Sequence, residues 1–176
     1  MDYWVDQRLF LNRIKGGSPQ HLAEAKPMTR RGGHMSLQET NKALVRRFYA
    51  EIDAGNLDAM DHLVAEEYVD HNPPPFPGLE QGRAGLKQAL QIFWEATPGR
   101  HEVEDQVAEG DKVVTRLTAY GKHTGNLPGG LVATGREIQQ SAVAVHRVHD
   151  GQLAEHWSGR DDLGLMVQLG VIHLPG

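Results

Sequence analysis

The sequence predicts an α+β fold, in which helices come first and an antiparallel sheet follows. Three observations predict it: apolar residues recur at helical spacing before residue 97, they alternate with period two after residue 102, and Gly-Asp or Asp-Gly pairs separate the alternating segments. Grouped helices followed by grouped strands are typical of a sheet with helices on one face. The 176 residues suit one folded domain, and the absence of cysteine excludes disulfides and thiol chemistry.

The helical signals come in order along the first half of the domain. Ser36 and Glu39 form a capping box at the start of a first helix, and Gly55 ends it. Asn56 is expected to cap a second, short helix. A third helix is predicted over residues 83–96, because its apolar residues form one stripe before a Pro-Gly pair.

The extended signals lie mostly in the second half. A short extended run is predicted at residues 67–72, where three prolines end it, and strands are predicted at 103–108, 113–122, 138–148 and 153–159. Asp161 is expected to cap a final helix over residues 162–169, which Gly170 ends. Capping would keep Asp161 turned toward backbone amides rather than available as an acid.

The charge distribution divides the chain. Residues 1–34 carry six Lys or Arg and three Asp or Glu, whereas the rest carries twelve and twenty. The first 34 residues are rich in Gly, Pro and basic residues, and Met35 opens a sequence typical of a natural start. We therefore expect a disordered extension at 1–34 and one domain at 35–176. The alternative is a functional arm that docks through its aromatic residues.

Composition also excludes several classes of function. The net charge is −5 and no dense run of Lys or Arg occurs, which argues against a nucleic-acid surface. No apolar stretch approaches the ~20 residues that span a bilayer, and no continuous apolar signal segment is present, so a soluble cytoplasmic protein is expected. No metal site is expected, because His-x-His and His-Glu-x-x-His are absent. The G-x-S-x-G motif of a serine hydrolase is absent as well.

Five short motifs occur in a characteristic order: YVDHNP at 68–73, GKHTG at 121–125, RVHDG at 147–151, EHW at 155–157 and QLG at 168–170. Over residues 35–170 the chain resembles the SnoaL-like polyketide cyclases of the nuclear-transport-factor-2-like superfamily. The resemblance implies a cone-shaped fold, with a curved antiparallel sheet and three N-terminal helices packed on its concave face. It also implies a cofactor-free intramolecular aldol ring closure on a polyketide ester.

The sequence departs from the family pattern at the catalytic positions. The resemblance implies an aspartate acid/base directly after Trp157, where this chain has Ser158. It also implies Gln and His on the preceding strand, where Ala142 and Ala144 stand. Another side chain must therefore carry any acid/base chemistry.

The last hairpin has two possible registers. A two-residue Asp-Gly turn would pair Ala144 with Trp157, whereas a three-residue bulged loop would pair Ala144 with His156 and Ala142 with Ser158. The resemblance favours the bulged loop, because it requires Ala142 and Ser158 to share the cavity face. The cavity face then holds Gln140, Ala142, Ala144, His146, Ala154, His156, Ser158 and Arg160.

These two faces predict a ligand site and an interface. Two alanines and a serine leave volume for a small apolar carbonyl compound, unless larger side chains from the helices fill the space. The opposite face carries Val143, Val145 and Trp157, which predicts a homodimer through that face.

His156 is the candidate acid/base, since a neutral imidazole exchanges protons near pH 7. The alternative for His156 is a hydrogen bond within the sheet. His71 and Asn72 are candidates to bind a carbonyl or enolate oxygen, or else to form a turn. His123 is placed near the cavity mouth. The predicted substrate contacts are His71, Asn72, His123, Gln140, His146 and Ser158.

The predicted function is that of a cofactor-free cyclase or isomerase that acts by acid/base chemistry on a small polyketide-like carbonyl compound. Two alternatives remain open. One is hydrolysis of an ester or epoxide in the same pocket, and the other is a non-catalytic dimeric ligand-binding protein.

Overall fold

The computed structural model describes residues 35–173. The predictions for residues 1–34 lie outside the described residues. The helices are α1 Leu37–Asp53, α2 Met60–Leu63, α3 Gly82–Ala96 and α4 Asp162–Leu169, and the strands are β1 Val64–Asp70, β2 Gly99–Glu109, β3 Lys112–Lys122, β4 Glu137–His149 and β5 Gln152–Arg160.

The five strands form one sheet in the order β1-β5-β4-β3-β2. Strands β2 to β5 pair antiparallel with their neighbours, and β1 joins the edge parallel to β5. Helix α1 packs against β2 and β3, α3 packs against β1, and α4 packs against β4. The predicted α+β class is therefore confirmed. No helix among residues 35–173 is long and apolar enough to cross a membrane.

The helix ends follow the capping residues closely. The Glu39 backbone N–H donates to Ser36 Oγ at 3.2 Å, and the Gly164 N–H donates to Asp161 Oδ1 at 2.9 Å. Gly170 ends α4 in the left-handed conformation, as predicted. The predicted cap at Asn56 is wrong, because its side chain donates to Glu51 instead of accepting from the next turn.

The second predicted helix is shorter than expected. Residues 57–59 form a 3₁₀ turn, and only the four residues of α2 continue it before β1 begins at Val64. Three helices, α1, the single-turn α2 and α3, therefore precede β2, and α4 is a further helix that contacts the sheet.

The β4–β5 hairpin has a two-residue turn followed by a bulge. His149 pairs with Gln152, and Asp150 and Gly151 both have positive φ angles, 48° and 76°, as in a type I′ turn. Val148 then pairs with Leu153 but Arg147 pairs with Glu155, so Ala154 is the extra residue of β5.

This bulge corrects the predicted register. Ala144 pairs with Ser158, and His146 pairs with His156. The predicted partners of Ala142 and Ala144 are each wrong by two residues. The predicted faces are nevertheless right, because a shift of two residues preserves the side-chain direction.

The apolar core lies between the helices and the sheet. It joins the buried face of α1, the α2 turn and β1 to the inner face of β3, β4 and β5. Its central members are Val45, Phe48, Met60, Leu117 and Leu153. This core packs against the inner face of the sheet. A cavity lies beside the core, where the small residues Ala142 and Ala144 face α1 and α3.

Candidate active site

A cavity of about 250 Å³ lies between the inner face of the sheet and helices α1, α3 and α4. Most of its wall is apolar, with Leu86, Leu90, Phe93 and Trp94 from α3. All the predicted positions of the cavity face line it except Ala154, which occupies the bulge. An apolar hollow with a few polar groups is the usual form of a small-molecule site.

His156 lies in this cavity wall and is paired with Asp70. Parallel pairing of β1 and β5 sets Asp70 opposite His156, and His156 Nδ1 lies 3.1 Å from Asp70 Oδ1. Both side chains are about four-fifths buried. A carboxylate that accepts from Nδ1–H fixes the tautomer in which Nε2 carries the lone pair. Nε2 makes no hydrogen bond to any residue of the described range, so it is available to a ligand.

Asp70 is held as a carboxylate. Burial alone would raise the pKa of Asp70, but the hydrogen bonds from His156 and from the Asn72 backbone N–H, with the charges of His156 and Arg160, outweigh burial and lower that pKa. Asp70 is therefore ionised at neutral pH and can both orient His156 and stabilise its protonated form.

His146 lies next to His156 on the neighbouring strand. The two ring centroids are 4.9 Å apart. His146 is fully buried, and neither ring nitrogen has a hydrogen-bond partner among the described residues. Burial, with a smaller effect of the His156 charge, lowers the pKa of His146 to about 3, against a weaker opposing effect of Asp70. His146 is therefore a neutral imidazole with unsatisfied polar atoms at the cavity wall.

Two tyrosines supply hydroxyl groups to the same wall. Tyr68 lies two residues before Asp70 on β1, and Tyr49 lies on α1 beside His146. Burial raises the pKa of Tyr68 well above its ordinary value, and the charges of Asp70 and Tyr49 raise it further. Burial also raises the pKa of Tyr49. Both remain neutral O–H donors at physiological pH.

Gln140 and Ser158 also line the cavity, and their surroundings differ. Gln140 Nε2 donates to Asp162 Oδ1 at 2.8 Å, which ties β4 to the start of α4. Ser158 Oγ is buried and has no partner among residues 35–173. Buried polar atoms are normally hydrogen-bonded, so the unpaired atoms of Ser158 and His146 are unusual for this part of the structure.

The structure does not place His71 at the cavity. Residues alternate along β1, so Asp70 faces inward while His71 turns to the outer face and stacks on Trp157 with ring centroids 4.3 Å apart. His71 Nε2 lies 2.8 Å from Glu155 Oε2, and hydrogen bonds from His71 and then Arg147 lower the pKa of Glu155. His71 therefore belongs to an outer-face cluster rather than to the substrate wall.

Asn72 and His123 also lie outside the cavity wall. Asn72 Oδ1 accepts from the Ser158 backbone N–H at 2.9 Å, and this bond joins the end of β1 to β5. His123 is fully buried beneath the β3–β4 connection, where its Nδ1 lies 3.1 Å from Thr134 Oγ1. Asn72 Oδ1 and His123 Nδ1 therefore hold chain segments in place rather than facing the cavity.

Sequence reasoning missed Asp70, Tyr49 and Tyr68 as site residues. In the sequence, Asp70 stands out only as a member of the YVDHNP motif, because its hydrogen-bond partner His156 lies 86 residues away. The available signal was the alternation of β1: Tyr68 and Asp70 share one face, so a buried Tyr68 implies an inward Asp70. Among the described residues, no group of three or more His, Asp or Glu side chains is arranged to hold a metal ion.

Comparison with known proteins agrees with this architecture. A family model described as SnoaL-like polyketide cyclase matches residues 43–169. The aklanonic acid methyl ester cyclase DnrD of Streptomyces peucetius is 32% identical over 133 residues, which cover 72% of this chain and 88% of DnrD. The aklanonic acid methyl ester cyclase DauD of Streptomyces sp. strain C5 is 32% identical over 133 residues, which cover 72% of this chain and 80% of DauD.

The solved structure of TsrD from Streptomyces laurentii superposes with a TM-score of 0.69 at 30% identity, covering 77% of this chain and 98% of TsrD. The family match spans most of the described residues, including both strands that carry Asp70 and His156. The chain belongs to the SnoaL-like polyketide cyclase family, within the nuclear-transport-factor-2-like superfamily.

Proposed function

We propose that this protein is a cofactor-free cyclase or isomerase that acts by acid/base chemistry on a small, polyketide-like carbonyl compound. The observation that carries the proposal is the Asp70–His156 pair in the wall of an apolar cavity. DnrD and DauD are named aklanonic acid methyl ester cyclases and the family model is named for polyketide cyclases, which together support an ester-bearing polyketide as the substrate class.

In the proposed reaction, His156 Nε2 removes a proton from the carbon next to a carbonyl group. Asp70 stabilises the imidazolium that forms. The enolate carbon then attacks a second carbonyl carbon of the same molecule, which forms a carbon–carbon bond and an alkoxide. The alkoxide takes the proton back from His156, so the ring closure is balanced without a co-reactant.

Tyr68 is the proposed donor to the developing enolate oxygen. Its hydroxyl stays protonated at neutral pH, and it lies on the same strand face as Asp70. A neutral donor in a water-poor wall stabilises a developing oxyanion more than the same donor would in water. This role replaces the one expected for His71 and Asn72, whose side chains are engaged elsewhere.

The proposal is tested by turnover of β-keto esters and enones, with product formation followed by mass spectrometry. We expect His156→Ala and Asp70→Asn each to lower kcat by about 10²–10⁴. The matched control is His149→Gln, because His149 is exposed and lies at the hairpin end. An unchanged kcat in His156→Ala would reject His156 as the acid/base.

A second candidate is a non-catalytic ligand-binding protein, and Ser158 favours it. The family resemblance implies an aspartate at this position, and a serine hydroxyl cannot act as that acid/base at neutral pH. Tight binding of a β-keto ester with no turnover across the panel would favour this candidate.

Hydrolysis of an ester or epoxide would instead be detected as incorporation of a water oxygen into the product.

A further inference from the structure

The cavity contains a second histidine–carboxylate pair, on a different strand from His156. His101 Nδ1 lies 2.6 Å from Asp53 Oδ1, and the His101 backbone N–H donates to Asp53 Oδ2 at 2.8 Å. Both residues line the same cavity as His156, and each side chain is about three-quarters buried. The proposed acid/base chemistry does not use this pair.

Asp53 occupies a position that a helix disfavours. It is the last residue of α1, where the negative end of the helix dipole repels a carboxylate. Its two oxygens are both directed at His101, so the pair fixes the position and the tautomer of the ring. Nδ1 is turned to Asp53, and the ring edge that carries Nε2 is left for a ligand.

The two histidines line the same cavity from different strands of the sheet. His156 lies on β5 and His101 on β2, and two strands separate them in the sheet. His101 pairs with Ala119 and Ala119 with Gln140, whereas His156 pairs with His146, which lies six residues farther along β4 than Gln140. The rings of His146 and Tyr49 lie between them, with successive centroid distances of 4.9, 5.9 and 5.1 Å. The four rings therefore form a continuous aromatic row from His156 to His101.

We propose that His101 is a ligand-binding residue, which accepts a hydrogen bond at Nε2 from a hydroxyl group at the far end of an elongated ring substrate. Asp53 is its positioning residue. This inference rests on the proposed function, because the other end of the same ligand contacts His156.

The test compares ligands that have one or two hydroxyl groups. The probes are 2-naphthol with 2,6-dihydroxynaphthalene, and 4-phenylphenol with 4,4′-biphenol, and their affinities are measured by calorimetry on the full chain. A mono-ol can occupy only one of the two polar ends. We expect at least one diol to bind wild-type protein about fivefold more tightly than its mono-ol.

The key variant is His101→Asn. Its amide nitrogen takes the place of Nδ1 and keeps the bond to Asp53, but the atom that faces the ligand is lost. We expect the variant to bind the mono-ol as wild type does, and to bind the diol no more tightly than the mono-ol. His149→Gln is the control and retains the preference. His101→Phe, which fills a similar volume, gives the same comparison if His101→Asn does not fold.

Each outcome decides between the two proposals. Equal affinity of wild-type protein for diol and mono-ol overturns the inference but leaves the proposed function intact. A preference for the diol that survives in His101→Asn also overturns it. An equal loss of affinity for mono-ol and diol in His101→Asn overturns it too, because it shows that His101 only stabilises the cavity. A wild-type protein that binds none of the four probes contradicts the ligand cavity itself, and with it the proposed function.

Discussion

At the scale of single residues, the most informative side chain is His146. Its neutral ring is fully buried between Phe48, Tyr49 and His156, and both nitrogens lack partners among the described residues. Such atoms cost stability when they stay unpaired. A phenyl ring of similar shape would avoid that cost.

The buried state of His146 predicts a specific pH dependence of stability. Burial lowers the pKa of His146 from its ordinary value of 6.5 to about 3, so between these values the unfolded chain binds a proton that the folded chain does not. The folded state is therefore fully favoured above pH 6.5 and loses stability as the pH falls toward 3.

We expect His146→Phe to remove this loss. The free energy of unfolding of the variant, relative to wild type, should rise by roughly 1 kcal/mol for each pH unit below 6.5. Urea unfolding between pH 7.5 and 4.5 measures it, with His149→Gln as an exposed control. Parallel stability profiles for wild type and His146→Phe would show that His146 is not held neutral.

At the scale of elements, the direction of His156 depends on the bulge at Ala154. The Asp-Gly turn alone would continue the pairing of His149 with Gln152 into β5 and set His146 opposite Glu155. The extra residue moves every later side chain of β5 by one position. His156 and Ser158 face the cavity for this reason.

Insertion of one alanine between Ala154 and Glu155 should therefore turn Glu155 inward and His156 outward, because the inserted residue takes the place opposite Arg147. We expect the turnover of the β-keto ester panel to be abolished and the protein to be destabilised, because a carboxylate would enter the apolar wall. The control is Ala154→Ser, which keeps the chain length and should retain activity. An insertion variant with wild-type turnover would show that the number of residues before His156 does not set the register.

Local signals predicted the element ends better than the pairing between elements. Ser36, Asp161 and Gly170 act through bonds to residues at most four positions away, so their roles could be predicted from sequence. The register of β5 depends on one bulge, for which the only hint was the adjacent apolar pair Leu153 and Ala154. The parallel pairing of β1 with β5 leaves no local pattern, which is why Asp70 was missed and His71 was predicted to contact the substrate although it stacks on Trp157.

At the scale of the whole molecule, the sheet has two faces with different compositions. The inner face carries the small and imidazole-bearing residues of the cavity. The outer face carries an apolar row across four strands, because Val107 pairs with Val114, Val114 with Val145, and Val145 with Trp157. Val107 and Val114 are 63% and 39% exposed, so this row is accessible in the single chain.

We propose that a second copy of this chain covers the outer row and forms a homodimer. Charged pairs of both signs flank the row, with Arg147 and Glu155 on one side and Arg116 and Glu104 on the other. A two-fold interface needs a self-complementary surface, and an apolar row between mixed charges meets that need. We expect sedimentation velocity at concentrations up to about 100 μM to show a dimer.

The variant Val114→Asp should convert that dimer to a monomer, because each interface would bury two unpaired carboxylates near its centre. Val132→Asp is the control, since Val132 is 67% exposed and lies in the β3–β4 connection outside the sheet. The cavity is built from one chain's residues, so monomeric Val114→Asp should still bind the naphthol probes with wild-type affinity. If the wild-type protein is a monomer, or if Val114→Asp remains a dimer, the outer row is not the interface. If the monomeric variant loses probe binding, the second copy supports the cavity wall.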